Sequence, residues 1–197
     1  MKNAPVFALG LLLCLAAGCG TDIRRVKFQT PALAATPVEN KLPLSAALVI
    51  SPELKDYGIM VNLIGGKARY PVGAQLAKGA QDVAANVFRQ VTVVDSEGAA
   101  AKNADVVLVP KAVRSEYNIT NPLKLLLVME WTVLDRAGGQ TVWLTTIEAE
   151  VTETSRLFGH GKLESDIFQR TVDELDRKAL KAFQESPEIK RLSANRQ

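Results

Sequence analysis

The chain has 197 residues, 47% hydrophobic and 6% aromatic, a size and balance that fit one ordinary globular domain with short extra segments. A disordered or fibrous chain is excluded. Lys and Arg number 24 against 21 Asp and Glu, a formal charge of +3 with the two signs interspersed. Nucleic-acid binding needs clustered cations, so no nucleic-acid partner is expected.

Met1-Lys2-Asn3 supplies one positive charge, and Val6 to Ala17 form an apolar run too short for a permanent membrane span, which takes about 20 residues. That is the pattern of a secretory signal. The run closes with Leu15-Ala16-Ala17-Gly18-Cys19. Small side chains let an extended backbone enter a peptidase site, and a thiolate is the nucleophile suited to accept a lipid. Cys14 is a poorer candidate because bulky Leu13 precedes it. These residues resemble the lipobox of bacterial lipoprotein precursors, with Ala16 where that family favours Leu. The resemblance implies cleavage before Cys19, loss of residues 1–18 and acylation (palmitate) of Cys19. Gly20 stands where the inner-membrane members carry Asp, which implies an outer-membrane anchor facing the periplasm. With Cys14 removed and the Cys19 sulfur lipidated, no thiol pair remains for a disulfide, and a packed core must hold the fold.

Residues 19–44 carry Pro31, Pro37 and Pro43 without helical or alternating period, and read as a lipidated N-terminus and tether. Extended at about 3.1 Å per residue, it would hold a domain several tens of ångströms off the membrane. The domain itself is expected over 45–186 and a flexible tail over 187–197. Ala46 to Ile50 reads as a buried strand, and Gly58 to Ile64 with Lys67 to Tyr70 as a hairpin about Gly65-Gly66. From Val72, the positions Leu76, Ala80, Val83, Ala84, Val87 and Phe88 follow one helical face. Val91 to Val94 and Val106 to Tyr117 read as strands.

Leu123 to Leu134 and Thr141 to Thr152 are two strands of a hairpin whose Gly138 can take the left-handed conformation. Pairing Trp131 with Trp143, Leu127 with Ile147, Leu125 with Ala149 and Lys124 with Glu150 keeps apolar residues together, whereas a one-residue slip sets Leu127 opposite Glu148. Asp166 to Phe183 forms the last helix, capped by Ser165, with Phe168, Val172, Leu175, Ala179 and Phe183 on one face. The fold class is α+β: two layers, a mostly antiparallel sheet with two amphipathic helices on one face. Across about Ala46 to Phe183 this order resembles the small α/β domain of the TolB N-terminal part and of curli-secretion and peptidoglycan-synthase-activator lipoproteins. Lipoproteins auxiliary to ABC-type lipid transporters are a second family of comparable size and anchoring.

Chemistry-bearing residues are sparse. His160 is the one histidine, in a loop-like Gly159-His160-Gly161-Lys162, with no Gly-x-Ser-x-Gly turn and no phosphate-loop spacing. Without further histidines or free thiols, no metal and no cofactor is expected. Glu148 and Glu150 share a strand face with backbones about 6.6 Å apart, near the roughly 5 to 9.5 Å of glycosidase carboxylates. Their simpler reading is a polar outer face, with Glu150 paired to Lys124. No residue is expected to be catalytic. The candidate binding surface is the second sheet face, where Leu126, Val128, Leu134, Val142 and Leu144 need either a cover within the chain or a partner, while Trp131 and Trp143 belong to the helix-packed core. The function expected is a non-catalytic, lipid-anchored periplasmic binding or accessory protein in envelope assembly or regulation, with an envelope protein or a second copy as partner. An accessory subunit of an envelope transport or secretion system and a small carboxylate-dependent envelope hydrolase are the alternatives.

Overall fold

The computed structural model describes residues 21–24, 28, 41–64, 66–96, 104–135, 139–154 and 160–194, without the side chains of residues 21 and 160–162. In chain order the elements are β1 (Thr21–Ile23), β2 (Leu42–Val49), α1 (Pro52–Lys55), β3 (Gly58–Leu63), β4 (Gly66–Pro71), α2 (Gly73–Val87), β5 (Phe88–Val94), β6 (Val106–Asn118), β7 (Leu123–Asp135), β8 (Thr141–Glu153), α3 (His160–Glu185) and α4 (Pro187–Ala194). The fold is α+β. A five-stranded sheet has the order β5-β2-β6-β7-β8, and a three-stranded sheet has the order β1-β4-β3. The large sheet is mixed: β2 runs parallel to β5 and β6, whereas β6, β7 and β8 are antiparallel. A strand with parallel neighbours on both sides and cover on both faces reads as a continuous apolar run. Accordingly, Leu44, Ala46 and Leu48 of β2 enter the main core while Ala47 and Val49 enter a smaller cluster on the other face.

Helices α2 and α3 cover one face of the large sheet. Leu76, Ala80, Val83, Ala84 and Val87 of α2 and Phe168, Val172, Leu175, Ala179 and Phe183 of α3 are buried, each set at three-four spacing. They meet Leu125, Leu127, Met129, Trp131 and Val133 of β7 in the main core. Phe183 is the hub, with ring centroids 5.1 Å from Trp131, 4.7 Å from Trp143 and 6.0 Å from Phe88. Both tryptophans therefore lie on the helix-packed side, as their spacing predicts. Helix α3 begins at His160 rather than Asp166, so Ser165 lies inside it and is not its cap.

Three further expectations are corrected. Thr21–Ile23, expected within a tether, form β1 in parallel register with β4; three residues carry no readable period. Residues from Pro187 on, expected as a flexible tail, instead form α4 through Ala194. Ser186 Oγ accepts from Ile189 N–H at 3.2 Å, Pro187 occupies the first turn, and Ile189 is buried. That is a helix N-terminus in sequence as well as in structure. The hairpin register also differs by two residues. Trp131 faces Thr145, Leu127 faces Ala149 and Leu125 faces Val151. A two-residue slip preserves every face, which is why the side-chain pattern could not distinguish the two registers. Among the described residues Gly139 takes the left-handed conformation, at φ +68°; Gly138 lies outside the described residues.

Candidate functional site

The second face of the large sheet is built differently from the apolar surface expected. Leu126 and Val128 are buried, and among the described residues neither belongs to the main core or to the smaller cluster. Leu126 is paired with Glu116 and Glu150, and Val128 with Arg114 and Glu148. Ion pairs join Lys124 Nζ to Glu150 Oε2 at 2.8 Å and Arg114 to Glu116. Long charged side chains thus flank both residues on the neighbouring strands. Leu134 packs on the small cluster of Ala47, Val49, Ala104 and Val107.

Val142 is a correction. The β7–β8 register shifts between Val133 and Leu134, and Val142 packs against the main core instead of lying beside Leu144. A bulge inserts one residue into a strand and re-aims the side chain there. Of the five candidate residues only Leu144 is exposed, at 57%; elsewhere in the large sheet, Val113 of β6 and Val93 of β5 are exposed at 44% and 47%. The five do not form one open patch.

A second constellation lies where β1, β4, β6 and α3 meet. Tyr70 and Tyr117 donate to Glu164 Oε1 at 3.3 and 3.4 Å. Arg24 Nη1 approaches the Tyr70 hydroxyl at 3.5 Å and Glu164 Oε1 at 4.0 Å. The phenol rings meet edge to face at 5.3 Å, and Phe168 stacks on Tyr70 at 5.2 Å. Burial first, then the Glu164 charge, pushes both phenols above their ordinary range, so they remain protonated donors. This box ties the segment after Cys19 to the longest helix. Sequence reading missed it because Arg24 sits in a stretch without period and its partners are 46 and 140 positions away.

The acidic candidates are placed plainly. Glu148 and Glu150 are exposed on β8. Glu150 is ion-paired with Lys124 diagonally, since Lys124 sits directly opposite Thr152. Lys178 of α3 donates to the Glu148 carbonyl oxygen at 2.9 Å. Between α2 and α3, Asp176 is 3% exposed, its Oδ2 has no hydrogen-bond partner, and burial followed by the charges of Asp173 and Asp82 holds its carboxyl well above the usual range. Cys19 lies outside the described residues, as does the His160 side chain. Among the described residues no group of three His, Cys, Asp or Glu is placed to hold a metal ion, and no helix is long and apolar enough to cross a membrane.

By sequence, the chain matches no protein-family model and no curated protein. By structure, protein XCC0632 from Xanthomonas campestris, of family DUF330, superposes with a TM-score of 0.54 at 12% identity, covering 82% of this chain and 94% of the other. This likeness establishes a shared fold. A minor lipoprotein from Acinetobacter baumannii gives a TM-score of 0.40 at 15% identity, over 80% and 96% of the two chains. A PelC dodecamer from Paraburkholderia phytofirmans gives 0.38 at 16% identity, over 76% and 97%.

Proposed function

We propose that this chain is a non-catalytic lipoprotein of the outer membrane, facing the periplasm, that serves as a binding or accessory subunit in cell-envelope assembly or regulation. The observation that carries the reading is the Val6–Ala17 apolar run ending in Leu15-Ala16-Ala17-Gly18-Cys19. Acylation of Cys19 supplies the anchor, since each buried methylene contributes about 0.8 kcal/mol and two chains suffice for stable retention. Confinement near one membrane raises the effective concentration of the domain for its partner, so a modest binding face is sufficient. The partner is another envelope protein or a second copy of the chain. Among the described residues, Leu144, Val113 and Val93 are the large apolar side chains that the strands of the large sheet expose.

Metabolic labelling with palmitate tests the anchor. The wild type is expected to take up label and to begin at Cys19, while Cys19→Ser retains residues 1–18 and takes up none. A wild-type chain that is unlabelled, or that begins elsewhere, overturns the reading.

A further inference from the structure

The segment after Cys19 is seated on the domain and not hung below it. β1 runs parallel to β4 with Thr21 beside Lys67, Asp22 beside Ala68 and Ile23 beside Arg69. The Arg24 N–H then donates to the Arg69 carbonyl oxygen at 3.0 Å, the Arg24 side chain reaches Tyr70 and Glu164, and Phe28 packs against the main core. Because the strands are parallel, the chain that precedes Thr21 leaves the sheet at the end where β4 begins. That end is the β3–β4 turn. Only Gly20 separates Cys19 from Thr21, so their α-carbons are at most about 7 Å apart, and β4 lies only about 4.8 Å from β1.

Ile64, next to that turn, is exposed at 109%, as open as a side chain on a free peptide. The outer face of the small sheet continues the pattern. Ile23, Arg69 and Met60 are register neighbours in one row, with Ile23 60% and Met60 51% exposed. Thr21, Lys67 and Asn62 form the row nearer the turn. The opposite side of the same strands presents Ile59, Val61, Ala68 and Tyr70 to the main core. Exposed apolar residues interleaved with Lys67 and Arg69 suit a lipid interface, where apolar groups enter the acyl boundary and cations stay among phosphates.

We propose that this outer face and the Ile64 turn rest on the membrane that holds Cys19, with Ile64 entering the acyl boundary. The inference rests on the acylation of Cys19 and adds the orientation of the domain: the anchor and the Ile64 turn share one end, and the three attachments at β1, Arg24 and Phe28 leave no slack between them.

The test uses the full acylated protein in vesicles of phosphatidylethanolamine and phosphatidylglycerol, with Ile64→Cys carrying a polarity-sensitive fluorophore and Leu144→Cys as the comparison. Emission from position 64 is expected to shift to the blue and to be quenched by spin-labelled lipids, while position 144 reports water. A position 64 as aqueous as position 144 overturns the proposal. The mass of the N-terminal peptide from the same preparation separates the two failures. Acyl chains present with an aqueous position 64 overturn the orientation alone, whereas an unacylated N-terminus overturns both. Ile64 makes no buried contact, so the substitution leaves the fold in place.

Discussion

Asp176→Asn is expected to stabilise the protein at neutral pH. The carboxyl is 3% exposed between α2 and α3, and its Oδ2 has no partner. A Cβ placed on Gly79 would come within 2.3 Å of that oxygen, so the backbone of α2 abuts the carboxylate directly. Asp82, whose own Oδ2 lacks a partner, and Asp173 add like charge. A buried polar group left unsatisfied costs about 1–3 kcal/mol, and at this chain length each kcal/mol moves Tm by about 2–4 °C. The amide removes the charge and offers two N–H donors to a neighbourhood of acceptors.

The pH dependence has a definite sign. Burial raises the folded-state pKa, so the contribution of Asp176 to stability is complete below the ordinary carboxylate range, where it is protonated in both states. It is lost as pH rises through that range toward the raised folded value. The difference in Tm between Asp176→Asn and wild type should therefore be near zero at about pH 4 and open to several degrees by neutrality. Thermal unfolding by circular dichroism across that range measures it. A difference that is constant with pH, or an Asn variant less stable than wild type at pH 7, refutes the reasoning.

Phe183→Ala is expected to cost about 3–5 kcal/mol, because one ring fills the space among Trp131, Trp143 and Phe88; urea unfolding reads the loss, and a cost under 1 kcal/mol would show that the ring is not the hub. Leu144→Asp should change stability by no more than about 0.5 kcal/mol, whereas Val142→Asp sets a charge partly buried against the main core and should lower the unfolding midpoint by clearly more. Equal effects from these two neighbours would contradict the bulge at Val133/Leu134.

How much could be read in advance followed from the range of each signal. Helix α2 and strands β6, β7 and β8 were legible because their apolar residues repeat within the element. Period-2 alternation fixes faces and leaves register open, so the β7–β8 pairing was found on the correct faces and two residues out of step. Val142 escaped because a bulge breaks the alternation locally. The parallel pairing of β2 with β5 and β6 is set by contacts about 45 to 60 residues apart and leaves only an indirect trace, the continuous Ala46–Ile50 run. Helix α4 was visible in Ser186-Pro187-Glu188, where a serine before a proline can end one helix or begin another. The burial of Ile189 decides for the second.

The seating of β1 changes the kind of partner the lipoprotein reading admits. A tether of some twenty extended residues, at about 3.1 Å each, would carry the domain far into the periplasm. With β1 paired to β4, the reach from an acylated Cys19 is instead the thickness of the domain, about 40 Å for a globule of this length. On the proposed reading, a partner would then lie at the membrane surface or extend down to it. Arg24 is the residue on which this hinges, since it joins the anchored strand to α3 through Glu164 and to β4 through Tyr70. On that reading a fixed orientation would also present Leu144 to a partner from one direction only. Tethering on a flexible linker supplies concentration, whereas tethering through a docked strand supplies concentration and geometry together.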